Sequence, residues 1–160
     1  MGRGGLQLTG SGQEGVAVEQ AGGRGPVWKV NEGQVPAREA PCRSIRELVS
    51  GKAGCARGVT LRIVEIHPHS RCQGRTPHAH ADMEEVIYVL EGQGEMWVDG
   101  QRLPVGPGDA VLVPAGVAHM TVNPTTRPLR LACFFPSPDA GRGWREFPEG
   151  TQRKEEGADG

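Results

Sequence analysis

The chain has 160 residues, 25 of them glycine and 13 proline, with 4% aromatic content and a formal net charge of −1. That length supports one domain with a real core and is short for two. No basic stripe with interleaved aromatics favours a nucleic-acid partner, and no apolar run approaches the ~20 residues that span a bilayer.

Residues 1–25 carry nine glycines among polar residues and show no periodicity. Such a segment buries too little apolar surface to offset its chain entropy, so a disordered tail is expected there. No basic flank followed by an apolar run opens the chain. No signal peptide is recognised, and a cytoplasmic location is the default expectation. Residues 26–42 hold short apolar pairs, Val27-Trp28 and Val35-Pro36, between turn residues, which reads as an extended arm with one edge strand. In Ser44–Val49, Ser44 and Glu47 have capping-box spacing, yet the stretch reads equally well as a strand. The four cysteines, Cys42, Cys55, Cys72 and Cys133, form no C-x-x-C pair, so four reduced thiols are expected.

From residue 58 onward the pattern is that of short strands. Gly58–His67 alternates and is β-branched, Pro77–Ala81 is short, and Val86–Leu90 is apolar on both faces, which predicts a strand between two layers. Glu95–Val98, Gln101–Val105, Ala110–Val113, His119–Asn123 and Leu129–Phe135 follow, separated by turn sequences such as Glu91-Gly-Gln-Gly94, Asp99-Gly100 and Gly106-Pro-Gly-Asp109. Eight to ten such strands predict an all-β sandwich or barrel of jelly-roll type. The end, from about Gly150, is polar and charged and reads as a loose tail.

The chemistry concentrates in Gly74–Gly92. His78 and His80 are two residues apart, so on a strand both imidazoles share a face. Glu85 follows just before an apolar run, where a lone carboxylate is costly unless paired or metal-bound. A third histidine, His119, stands downstream in another turn–strand unit. Imidazole is the commonest transition-metal ligand, and these residue types point to a metal site. His67 and His69 form a second H-x-H, but Pro68 interrupts it and a polar loop follows, so they read as strand-end or solvent residues. Of Met96 and Trp97, one should face the interior, and of Arg62 and Glu65 at most one. Tyr88 shares parity with Val86 rather than Glu85 and is expected to pack against another layer or a partner.

Two segments resemble the signature motifs of the cupin superfamily. The first, G(x)5HxH(x)3–4E(x)6G, is filled by His78, His80, Glu85 and Gly92; the second, G(x)5PxG(x)2H(x)3N, by Gly108, Pro114, Gly116, His119 and Asn123. The chain departs from the first at its leading glycine, where Cys72 stands, with Gly74 displaced by two. Cys72 could reach the metal rim, but a surface-loop position is the simpler expectation. Glu84 is the alternative acid, though the spacing to Gly92 favours Glu85.

The resemblance implies a double-stranded β-helix, or jelly-roll barrel, over about residues 43–137, followed by a C-terminal tail over 138–160. It implies one divalent transition metal (Fe, Mn, Ni, Co or Zn) held by His78, His80, Glu85 and His119 in the barrel mouth. The nitrogen and oxygen donors fit those metals without selecting one. A small polar or acidic ligand would bind beside the metal. An enzyme (dioxygenase, isomerase, decarboxylase or lyase) is the favoured expectation, and a non-catalytic binding or sensor module, for a sugar for example, is the alternative. Deaminase and β/α-barrel hydrolase zinc patterns lack their accompanying sequence here. The apolar strands Val86–Leu90 and Leu131–Phe135, with the N-terminal arm, suggest a homodimer.

Overall fold

The computed structural model describes residues 16–18 (backbone only), 25–72 and 75–148. Within them the chain forms thirteen strands and two 3-10 turns. The strands are β1 (Val16–Val18), β2 (Val27–Lys29), β3 (Arg38–Ala40), β4 (Arg43–Val49), β5 (Thr60–Ile66), β6 (His78–His80) and β7 (Glu85–Glu91). They continue as β8 (Gly94–Val98), β9 (Gln101–Val105), β10 (Ala110–Val113), β11 (His119–Val122), β12 (Leu129–Phe135) and β13 (Trp144–Glu146). A six-stranded sheet in the order β10-β7-β12-β5-β4-β3 faces a five-stranded sheet in the order β13-β6-β11-β8-β9. The pairings between these strands are antiparallel. This is the all-β jelly-roll barrel expected from the strand and turn spacing.

The core lies between the sheets. Ile45, Val64, Ile66, Ile87, Val89, Leu129, Leu131 and Phe135 point inward from one sheet and meet Met96 and Val105 from the other. Period-2 alternation puts these residues on one face. Met96, fully buried, is the inward member of the Met96–Trp97 pair. The opposite face of the six-stranded sheet carries a second cluster, Val35, Leu48, Ile63 and Ala132, with Val30 packed against it. The arm over 26–42 thus covers part of that outer face, and Glu32 pins it to Arg130 of β12 at 2.7 Å.

Several expectations are corrected. Ser44–Val49 belongs to a strand, since β4 pairs along its length with β5. Val86–Leu90 does not lie between two layers. Ile87 and Val89 are buried, whereas Val86, Tyr88 and Leu90 are exposed on the outer face. Among the described residues, no second layer covers Tyr88. Of residues 1–24, only Val16–Val18 are described, and they pair antiparallel with β2; the rest of that expected tail lies outside the described residues, as do Gln73, Gly74 and 149–160. The stretch after 137 is not wholly a tail, because β13 pairs with β6, in register Trp144↔His80 and Glu146↔His78.

The thiols are not all reduced: Cys42 and Cys72 form a disulfide, with Cα atoms 4.8 Å apart and a sequence separation of 30. Cys42 sits in the β3–β4 turn with φ 62, and Cys72 follows the 3-10 turn His69–Arg71. The pairing of Arg43 with Ile66 and the hydrogen bond from the His67 amide to the Cys42 carbonyl at 3.0 Å bring the two loops together. Cys72 is therefore neither a metal-rim residue nor a free surface thiol. Cys55 and Cys133 remain as free cysteines.

Candidate metal centre

Four side chains from three strands converge on one point. β6 presents His78 and His80 on a single face. His119 opens β11 directly opposite His78 in the register. Glu85 opens β7 on the facing sheet, paired with Val113. The ligand atoms of His78, His80, Glu85 and His119 lie within 4.8 Å of one another, and all four residues are buried. Glu84 is exposed and takes no part.

The motif residues around them hold backbone rather than chemistry. Gly116, at φ +78, lies where side-chain-bearing residues are rare. Its amide donates to the His80 carbonyl at 2.8 Å, tying the turn that launches β11 to the strand carrying the other histidines. Asn123 donates through Nδ2 to the carbonyls of Ile66 (3.0 Å) and Arg127 (2.7 Å). Its Oδ1 accepts from the Thr125 amide and hydroxyl.

Two aromatic rings fix the imidazoles. Trp144 stacks on His78 with centroids 3.9 Å apart and planes 16° from parallel. Phe135 meets His80 edge-on at 5.0 Å.

The hydrogen-bond arithmetic of the cluster calls for a cation. His119 Nδ1 lies 3.0 Å from the Val117 carbonyl, which can only accept, so Nδ1 carries the hydrogen. In neutral His119 this leaves Nε2 with a lone pair, 3.0 Å from Glu85 Oε2. Two acceptors hold that distance only with a proton or a metal ion between them. His80 Nε2 is 3.4 Å from the same oxygen, and both its ring nitrogens, with His78 Nδ1, are buried without a hydrogen-bond partner. Orphaned buried polar atoms are rare and costly.

Burial, with His119 second, depresses His78 to about 2, so its imidazole stays neutral and ready to donate a lone pair. For Glu85, burial alone would raise the pKa. The close approach of His119, and after it His80, outweighs burial and holds the carboxyl well below the usual range. Burial and the Glu85 charge push the Cys133 thiol up, so Cys133 stands beside Glu85 as a neutral thiol. Three imidazoles and one carboxylate, with no thiolate, fit a divalent first-row transition metal.

A small cavity of about 50 Å³ opens at this cluster. Apart from the four candidate ligands, its titratable lining is Arg43, Arg62, Arg75 and Cys133. Arg62, the inward member of the Arg62–Glu65 pair, is bound to Glu47 at 2.6 Å. His67 lies 4.0 Å from exposed Glu39, and His69 is exposed; neither joins the cluster. Sequence reasoning missed Trp144, Arg43, Arg75 and Cys133. For Cys133, a signal was available: in the Leu129–Phe135 alternation it shares parity with Leu131, on the inward face.

A jelly-roll barrel with three histidines and one glutamate converging inside it defines the cupin class of small-molecule proteins. Residues 62–135 match the family described as Cupin domain, which places a cupin domain in that stretch of the chain. It is 35% identical over 77 residues to a glucose-6-phosphate isomerase of Thermococcus gammatolerans, covering 45% of this chain and 40% of that protein. It is 48% identical over 42 residues to a quercetin 2,3-dioxygenase of Bacillus subtilis, covering 26% and 12%. The chain spans about half or less of the length of these and other curated relatives. Among solved structures, the polyketide cyclase RemF from Streptomyces resistomycificus superposes with a TM-score of 0.60 at 27% identity, covering 78% of this chain and 88% of that one.

Proposed function

We propose that this cupin holds one divalent transition metal through His78, His80, Glu85 and His119 and acts as a metal-dependent enzyme on a small polar or acidic ligand in the barrel mouth, as a homodimer. The observation that carries the reading is the His119 Nε2–Glu85 Oε2 approach of 3.0 Å among buried ring nitrogens that lack partners. A metal would take one ring nitrogen from each of the three histidines together with a Glu85 oxygen. Bound there, it would supply Lewis acidity or a site for dioxygen.

The chain's own residues prepare that point. The Val117 carbonyl fixes the His119 tautomer, an arrangement that also raises ligand basicity. Trp144 and Phe135 hold the rings of His78 and His80. The apolar lining, including Ile45 and Leu131, limits water around the cluster. Relatives named dioxygenase, isomerase and cyclase support an enzyme, and the reaction falls among dioxygenase, isomerase, decarboxylase or lyase chemistry.

One observation favours the second reading, a non-catalytic binding or sensor module. Outside the four ligands, the titratable groups that the described residues bring to the cavity are arginines and a neutral thiol, none of them a ready general base.

Purified without added metal, the protein is expected to carry about one transition-metal ion per chain by mass spectrometry of the metal content. His119→Ala should lose most of it and His67→Ala should retain it. Equal retention in both variants, or no metal even after reloading, overturns the ligand set. Oxygen uptake by the iron-loaded protein with candidate substrates then separates oxygenase from non-oxygenase chemistry.

A further inference from the structure

The charge balance of the cavity is uneven. Three guanidinium groups line it, from Arg43, Arg62 and Arg75, against one carboxylate, Glu85. Arg62 is neutralised by Glu47, its partner across β4–β5, at 2.6 and 2.8 Å. Glu85 belongs to the metal cluster. Among the described residues, Arg43 and Arg75 have no carboxylate partner within ion-pairing distance.

Arg75 donates from one terminal nitrogen to the Thr121 carbonyl, and its Nε is buried with no hydrogen-bond partner. Arg43 lies over the Trp144 ring at 5.7 Å, and Trp144 in turn stacks on His78. Both cations therefore stand beside the histidine cluster. A buried or half-buried guanidinium without a counter-charge is costly, and a divalent metal at the cluster would add positive charge. Burial, and next the Arg43 charge, bring Arg75 down to about 9, which still leaves it charged at neutral pH.

What is missing is an anion. The planar fork of a guanidinium matches a carboxylate with two parallel hydrogen bonds. The cavity of about 50 Å³ has room for about three to five water-sized groups, the scale of a short carboxylic acid rather than a sugar ring. We infer that the ligand of this site is a small carboxylate anion, its carboxylate held by Arg75 and Arg43 and the rest of the molecule directed to the His78–His80–Glu85–His119 cluster. The inference rests on the proposed reading of that cluster as the functional centre, and it narrows the ligand from polar or acidic to a short organic acid. Arg75 and Arg43 become the specificity-determining residues.

Calorimetric titration of the full chain with acetate, pyruvate, the neutral analogue acetamide and inorganic phosphate tests this, on metal-loaded and metal-stripped protein, with metal content measured separately. The carboxylates are expected to bind in both forms, more tightly when metal is present, and acetamide to bind in neither. Arg75→Gln and Arg43→Gln should each weaken carboxylate binding about tenfold or more while keeping metal content. The surface variant Arg130→Gln should change nothing. Where Arg75→Gln is poorly folded, Arg75→Lys keeps the charge but not the fork and should still weaken binding.

Acetamide binding as well as acetate, phosphate binding in preference to both carboxylates, or carboxylate binding indifferent to both arginines overturns the inference. The metal reading fails separately. A chain that binds no metal but takes carboxylates through Arg75 and Arg43 keeps this inference and loses that one. A chain that binds metal and no carboxylate does the reverse.

Discussion

His78 shows how one side chain ties burial to pH. In the metal-free protein, burial and the neighbouring His119 hold it neutral down to about 2, against an ordinary value of 6.5. As pH falls below about 6.5 the unfolded chain takes up a proton at this position and the folded chain does not, so folding stability declines with acidification across that window. Glu85 acts in the same direction at lower pH. Its folded carboxyl titrates below the usual range, so the stability it contributes is present above about 4.5 and is lost as pH falls. Thermal midpoints of metal-free protein between about pH 8 and pH 4 should fall steadily below 6.5. His78→Asn should flatten the upper part of that slope, and parallel slopes in the two proteins would exclude His78 as the cause. The same residue explains what the sequence makes legible. His78, His80, Glu85 and His119 stand at spacings that a two-residue strand period converts directly into a shared face. Arg43, Arg75 and Trp144 stand at no such spacing. They reach the site from a sheet neighbour, a loop and a late strand, and only the tertiary pairing of β13 with β6 puts Trp144 on His78.

At the level of elements, strand identity was readable wherever alternation ran for four or more residues, as in β5, β7 and β12. It failed for the three-residue strands β1 and β13, where alternation has no length to declare itself, while the equally short β6 was marked by its histidine pair. β13 is the instructive case: Trp144 is its only apolar residue, beside Arg145 and Glu146, and its strand form comes from pairing with β6 and from the Phe147 amide bonding to the Pro77 carbonyl at 2.8 Å. The disulfide was invisible for a related reason. Nothing in a separation of 30 residues marks Cys42 and Cys72 as partners; β4–β5 pairing makes them neighbours. Closing a loop of that length restricts the unfolded chain by roughly 3–4 kcal/mol on a chain-entropy basis. Cys72→Ser, or reduction of the wild type, is therefore expected to lower the denaturation midpoint by an amount of that order, with the barrel fold retained by circular dichroism. Peptide mapping without reductant should recover residues 42 and 72 in one cross-linked fragment; two separately alkylated cysteines would rule the bridge out.

Among the described residues of the molecule, one apolar surface stands without cover. The N-terminal arm lies over the β4, β5 and β12 part of the six-stranded sheet, burying Val35 against Leu48, Ile63 and Ala132, and stops short of β7 and β10. There the register sets side chains in rows across three strands: Leu112 beside Val86 and Val86 beside Phe134, then Ala110 beside Tyr88 and Tyr88 beside Ala132. Leu112 is 58% exposed, Phe134 44%, Tyr88 41% and Val86 36%. Isolated exposed apolar residues are ordinary, but a contiguous patch on a sheet face marks an interaction surface. The proposed homodimer would use this patch, because a two-fold axis through it sets the same apolar rows against each other and needs no other partner. Light scattering at micromolar concentration should give a dimer mass, and Leu112→Glu should shift it to monomer by placing a charge in the centre of a dry contact. Its metal content should stay unchanged, since Leu112 points away from the barrel interior. A wild-type monomer would refute pairing through this face, and a dimer that survives both Leu112→Glu and Val86→Glu would move the interface elsewhere on the barrel.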